Sequence, residues 1–150
     1  MNRWKRGGAL LVAAIGLIGG YEGLRTVAYK DVVGVPTICF GETRGVQMGD
    51  TATVEECKAM LGDALVEFAA GLDKCLTAKV PDKPYMTFLS WSYNVGLGAA
   101  CKSTLVKKAN AGDIRGACNE LPKWNRAGGR VIPGLTKRRL DEQRICLEGV

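Results

Sequence analysis

Apolar and polar positions along this chain fall into three regimes. Residues 7–21, GGALLVAAIGLIGGY, run without a single charge. As a helix this stretch spans about 22 Å, short of the roughly 30 Å hydrocarbon core of a bilayer. Residues 26–43, TVAYKDVVGVPTICFGET, are rich in β-branched and aromatic residues, with Gly34 and Pro36 as turn markers. They predict short antiparallel strands, followed by a loop over 48–51. From residue 53 the apolar spacing becomes helical, with Cys57, Met60, Leu61, Ala64, Leu65, Phe68 and Leu72 on one face. Thr53 and Glu56 form a capping box that opens this helix, which runs to about Cys75. Pro81 and Pro84 separate it from the next.

The remainder predicts short helices. One covers 85–95, with Phe88, Leu89, Trp91, Ser92 and Val95 inside it, and stops at Gly96-Leu97-Gly98. Ser103 is placed to cap 104–110 and Asp113 to cap 114–121. Residues 125–134 read as a glycine-rich loop, and Thr136 as the cap of a last helix ending near Leu147, with Gly149 beyond it. There is no internal repeat and no low-complexity tract. The expected class is α+β: a small α/β N-terminal lobe with a short antiparallel sheet (22–52), a connecting helix (53–76) and a larger all-helical lobe (77–150). Residues 1–21 form a separate apolar leader to this domain.

Composition narrows the chemistry. A chain of 150 residues suits one domain, and its net charge of +6 suits an anionic polymer such as nucleic acid, a membrane surface or bacterial cell wall. The chain contains no histidine. That excludes Ser-His and Cys-His nucleophiles and His-ligated zinc, and leaves carboxylates as the acid/base groups near neutral pH. No metal or organic cofactor is implied. Six cysteines, an even number with no CxxC pair, favour disulfides in an oxidising compartment. No helix-turn-helix or stacking-aromatic pattern supports nucleic acid as the partner.

The N-terminal run admits three readings. The basic start MNRWKR and short apolar core fit a cleaved signal peptide, with Ala14-Ile15-Gly16 as a cleavage pattern. An ordinary core helix is the second. The third is an export segment that enters the membrane weakly and later leaves it. The flanking positive charges place the N-terminus on the cytoplasmic side.

Glu22 closes the apolar run, in surroundings that favour the protonated form a general acid needs. Asp31 lies nine residues on, at a turn between strands, where water and backbone donors favour the ionised form. Two carboxylates in unlike environments are the minimum for glycosidic cleavage. Thr37, six residues further, is placed to hold a water beside Asp31. An acidic pair around a hairpin is more often solvated surface, so spacing alone does not decide.

The segments Glu22-Gly23-Leu24-Arg25, Ala28-Tyr29-Lys30-Asp31 and Gly34-Val35-Pro36-Thr37-Ile38 resemble the active-site region of the phage T4-type lysozymes, glycoside hydrolase family 24. The likeness continues in Ser92-Tyr93-Asn94-Val95-Gly96, in Ser103-Thr104-Leu105 and in WNRAGGRVIPGLTKRR (124–139), and so spans nearly everything from Gly20 to Glu148. One departure is Gly41-Glu42, where many relatives carry Gly-His; it adds negative charge near the cleft. The resemblance implies a lysozyme-like fold and a catalytic triad of Glu22, Asp31 and Thr37. It implies hydrolysis of the β-1,4 bond between N-acetylmuramic acid and N-acetylglucosamine of peptidoglycan, for host lysis, by a monomer. The apolar run is similar to the signal-anchor-release segment of lambdoid-phage endolysins. That implies export through the host Sec machinery, transient tethering to the inner membrane through 7–21, and release into the periplasm.

In the basic second half, Lys123, Arg126, Arg130, Lys137, Arg138 and Arg139 are mostly expected to be solvated. Arg130 and Arg138 are the candidates for glycan or peptide-stem contact, with Asn94 as an amide donor to an N-acetyl group. Trp91 and Trp124 are expected in the core rather than stacked on sugar. Helix placement suggests the disulfides Cys75–Cys101 and Cys118–Cys146, leaving Cys39 with Cys57. Two further activities compete: a lytic transglycosylase acting on the same bond, and a membrane-active cationic protein working through its N-terminal helix.

Overall fold

The computed structural model describes residues 8–150; residues 1–7, which hold the basic start of the apolar segment, lie outside the described residues. The chain divides into two compact units, Met1–Glu67 and Phe68–Val150.

The first unit opens with α1 (Ala9–Glu22), which carries no charge before Glu22. Leu11, Ala14, Ile18 and Gly19 are buried, while Ala9, Val12, Ala13, Gly16 and Gly20 are exposed. Leu11 and Ile15 lie against Gly62, where an added Cβ would meet Ile15 Cδ1 at 3.2 Å, so the bare glycine lets two helices approach closely. The Gly23 N–H bonds to Gly19 O and ends α1. The strands β1 (Arg25–Lys30) and β2 (Pro36–Cys39) pair antiparallel, with Arg25 opposite Cys39, Tyr29 opposite Thr37 and Lys30 opposite Pro36. A small core of Ala28, Ile38, Cys39 and Cys57, with Phe40, Val46 and Ala52 against it, sits under this hairpin.

Helix α2 (Val54–Asp73) starts in the first unit and ends in the second. Its capping box forms in both directions: Glu56 N–H donates to Thr53 Oγ1 at 3.0 Å, and Thr53 N–H donates to Glu56 Oε1 at 3.0 Å. Cys57, Leu61, Leu65, Ala69 and Leu72 make the buried stripe, whereas Met60, expected on that face, is 37% exposed. A stripe of five residues at this spacing leaves Met60 on its shoulder.

The second unit contains α3 (Asp82–Val95), α4 (Leu97–Cys101), α5 (Thr104–Asn110), α6 (Ile114–Glu120), a 3-10 turn (Leu121–Lys123), the strands β3 (Arg126–Ala127) and β4 (Arg130–Val131), and α7 (Pro133–Glu148). Helix α3 brings Phe88, Leu89 and Trp91 into the interior and packs on α7. Ser103 and Asp113 cap α5 and α6 by accepting from Val106 N–H and Gly116 N–H.

Three elements differ from the sequence-based expectation. Residues 96–98 do not form an extended break, because Gly96 (φ 93°) ends α3 and leads directly into α4. The loop over 125–134 contains a hairpin turning on Gly128 and Gly129, whose φ values of 58° and 78° suit the two positive-φ positions of a tight turn. Helix α7 begins at Pro133, three residues before Thr136, because proline is pre-set for a first helical position. The Thr136 hydroxyl instead donates to Ile132 O at 3.4 Å and accepts from Asn125 Nδ2 at 3.1 Å.

Disulfides join Cys39 to Cys57, Cys75 to Cys101 and Cys118 to Cys146, the three pairs that helix placement suggested. Denatured, non-reduced protein is therefore expected to show no reactive thiol. Replacing Cys118 and Cys146 together should cost about 3.5 kcal/mol, given a sequence separation of 28. Denaturant unfolding of the double variant measures it. Among the described residues no helix is long and apolar enough to cross a membrane.

Candidate active site

Glu22, Asp31 and Thr37 all belong to the first unit. Glu22 is the last residue of α1 and is half-buried. Asp31 follows β1 directly. Its backbone N–H donates to Val35 O at 3.0 Å, and Gly34 N–H donates to Asp31 O at 2.9 Å. Gly34, at φ 84°, takes the left-handed position that a three-residue hairpin loop requires. The Asp31 carboxylate accepts from Val33 N–H at 3.0 Å and Val35 N–H at 2.8 Å. Thr37 is 3% exposed, and its hydroxyl donates to Val35 O at 2.9 Å. Asp31 and Thr37 are thus both tied to the main chain of one residue, Val35. Glu22 reaches the same sheet through the two-residue link Gly23-Leu24 into β1.

Glu42 does not stand as a free charge. Its carboxylate accepts from Arg44 Nε at 2.9 Å, and Arg44 Nη1 also bonds Glu67 at 2.8 Å. Partial burial pushes the Glu42 carboxyl up, but the hydrogen bonds and charge of Arg44 hold it below the usual range.

The binding candidates fare differently. Asn94, near the end of α3, is exposed and accepts through Oδ1 from Arg139 Nη2, so its amide nitrogen is the group left to donate outward. Arg130 is exposed on β4. Arg138 is buried: Nη2 donates to Ser90 O at 3.0 Å and Nε lies 3.4 Å from Glu142. Its placement corrects the expectation of a sugar contact, because a guanidinium enclosed with Ser90 and Glu142 serves the core. Arg139 is enclosed beside the same carboxylate. Trp91 is fully buried and meets Trp124 edge-to-face with centroids 5.3 Å apart.

Trp124 also lines a shallow groove with Thr104, Glu120 and Lys123. Glu120, not singled out from the sequence, is buried between Lys108 Nζ at 2.7 Å and Lys123 Nζ at 2.6 Å. These two bonds hold its carboxyl below the usual range, outweighing burial. A depressed folded-state pKa gives stability that is present above the unfolded value of about 4.3 and lost as pH falls through the folded value. Glu120→Gln should therefore flatten the acid-side decline in unfolding free energy between about pH 5 and 3, as chemical denaturation at each pH would measure.

Charge is divided unequally. Residues 68–150 hold 14 of the 21 basic and 7 of the 15 acidic side chains, a net +7 against −1 for residues 1–67. Among the described residues no cluster of His, Cys, Asp or Glu could hold a metal ion.

The chain belongs to the phage lysozyme family, whose model matches residues 19–142. Within it, the chain is 41% identical over 149 residues to the SAR-endolysin of Bacteriophage PS119, covering 95% of this chain and 89% of that protein. The endolysin from Escherichia coli O157:H7 phage FAHEc1 superposes with a TM-score of 0.81 at 30% identity, covering 91% of this chain and 92% of that one. The active form of the P1 phage endolysin Lyz gives 0.81 at 26% identity, covering 91% and 84%. The secreted inactive form of that P1 endolysin gives 0.60 at 22% identity, covering 96% and 97%.

Proposed function

We propose that this chain is an endolysin that hydrolyses the β-1,4 bond between N-acetylmuramic acid and N-acetylglucosamine in peptidoglycan. The observation that carries the reading is the tie of Asp31 and Thr37 to the main chain of Val35, in a hairpin that a two-residue link joins to the half-buried Glu22. Glu22 protonates the glycosidic oxygen as its bond to the anomeric carbon breaks. A water attacks that carbon and gives its proton to Asp31. Because the Thr37 proton is directed at Val35 O, its hydroxyl oxygen faces the water as an acceptor. With Thr37 and Asp31 both accepting, the water presents a lone pair to the sugar. The family implies the wider carboxylate separation and inversion at the anomeric centre. Asn94 and Arg130 remain the candidates for glycan contact.

Mass analysis of digested peptidoglycan tests the reaction. Products carrying a reducing-end muramic acid are expected; anhydro-muramic products would make the protein a transglycosylase. Thr37→Ser should keep appreciable activity because the hydroxyl survives, whereas Thr37→Val should lose it. A serine variant as inactive as the valine one would rule out the water-holding role.

The export and tethering of residues 7–21 belong to the same proposal. Support comes from the SAR-endolysin relatives and from α1 itself, whose exposed side holds only Ala, Val and Gly. A helix apolar all round suits a membrane environment as well as a protein one. The fold superposes better on the active than on the secreted inactive form of the P1 endolysin, which accords with a released form. Added Cβ atoms at Gly16 and Gly20 meet nothing within 4 Å, while one at Gly19 meets Phe40 at 3.1 Å. Gly16→Leu with Gly20→Leu should therefore leave the folded enzyme intact and favour insertion by about 2–3 kcal/mol. The expected result is normal export, retention in the membrane fraction and delayed lysis. Lysis on schedule would remove the tether from the reading.

A further inference from the structure

The turn joining β1 to β2 uses its backbone rather than its side chains. Val32 is fully exposed (103%), Val33 is 78% exposed, and Gly34 has no side chain at all. Exposed valines in a tight turn add nothing to a core, yet the N–H groups around them are aimed. Those of Val33 and Val35 both reach a single oxygen, Asp31 Oδ1, at 3.0 and 2.8 Å. No hydrogen bond among the described residues reaches Oδ2. The Val35 carbonyl, meanwhile, accepts from both Asp31 N–H and the Thr37 hydroxyl.

We infer that the main-chain N–H groups of Val33 and Val35 are a positioning device for the reaction: they clamp Asp31 Oδ1, fix the plane of the carboxylate and leave Oδ2 as the oxygen that meets the water. An aspartate side chain is otherwise loosely held about its last torsion, with a broad two-fold distribution. Two donors on one oxygen remove that freedom and break the equivalence of the two oxygens. Because the Val35 carbonyl accepts from both the Asp31 N–H and the Thr37 hydroxyl, the two water acceptors are held against one residue, as a near-attack geometry requires. The inference rests on Asp31 being the base in the hydrolysis proposed above.

The test replaces single N–H groups in the full-length chain by ester oxygens, using the α-hydroxy analogue of valine at position 33, 35 or 32. Steady-state rates on soluble peptidoglycan fragments and melting temperatures are measured for each. Esters at 33 and 35 should each lower kcat at least about tenfold with KM within about twofold, since orientation and not binding is lost. The ester at 32, whose N–H does not bond the carboxylate, should retain kcat. Unimpaired esters at 33 and 35, or an equal loss in the ester at 32, would overturn the clamp. Asp31→Asn separates this from the assignment beneath it, because the asparagine carbonyl can take the place of Oδ1 without supplying a base. That variant should be inactive with an unchanged melting temperature. If it is active, the assignment of the base falls and the clamp with it; if it is inactive while the esters at 33 and 35 are unimpaired, the clamp alone falls.

Discussion

Glu22→Gln is expected to lower peptidoglycan hydrolysis at least about a hundredfold, the lower end of what a general acid contributes. The substitution keeps the size and polarity of the side chain and removes only the proton it can deliver. It falls at a helix end fixed by main-chain bonding, the Gly23 N–H to Gly19 O, so the fold should not change. The melting temperature should stay within a degree or two while the rate of reducing-end release collapses. Clearing at near-normal rates would remove Glu22 from the mechanism, and membrane disruption would then become the stronger explanation of any lytic effect. In a chain without histidine, no other side chain type is ready to take over the proton.

The largest effect on stability is expected from Glu142→Ala. Glu142 is fully buried, with Ser90 Oγ 2.5 Å from Oε2 and the Nε atoms of Arg138 and Arg139 at 3.4 and 3.2 Å. Removing the carboxylate takes from two enclosed guanidinium groups the negative charge that faces both, and breaking such a pair from one side costs about 3–5 kcal/mol. Against a typical total of about 5–15 kcal/mol that is severe. It corresponds to a fall of roughly 10 °C in melting temperature. Replacing all three by apolar residues of similar volume (Arg138→Met, Arg139→Met, Glu142→Leu) should recover much of the loss, because the charges would no longer need one another. Thermal unfolding of the single and triple variants decides the point; a single variant as stable as the parent would mean that water or neighbouring groups satisfy the guanidiniums.

The sequence is most legible where one local interaction settles the geometry. The Thr53–Glu56 box, Ser103 and Asp113 could each be read as helix starts because a side-chain oxygen three residues from an amide has one favourable use. Thr136 misled for the same reason: it has the right chemistry for a cap, but Pro133 sets the backbone earlier. The hairpin at Gly128-Gly129 was readable in principle, since a glycine pair is a tight-turn signal, but strands of two residues leave no alternation to detect. For the site, spacing and family resemblance together singled out Glu22, Asp31 and Thr37. Arg138 was misread because a basic residue on an amphipathic helix is ordinarily solvated. The facing Ser90, 48 positions away, together with the buried Glu142 and Cys146, marks this side of α7 as interior. Main-chain groups such as those of Val33 and Val35 carry no side-chain signature, so a role for them becomes visible only in the hydrogen bonds.

Of the 15 ways to pair six cysteines, this chain uses the one in which every cysteine joins its next neighbour, first to second, third to fourth, fifth to sixth. None of the loops crosses or encloses another, and none bridges the two units. A chain delivered N-terminus first can therefore close each bond as soon as its second cysteine emerges, always with the partner most recently made available. The order of appearance and the order of native pairing coincide. Oxidation can then proceed in step with delivery, without the shuffling that interleaved bonds need and that can take from seconds to hours. The first bond to close, Cys39–Cys57, locks the strand bearing Thr37 onto the start of α2, so the unit that holds Glu22, Asp31 and Thr37 is secured before the basic half has fully arrived.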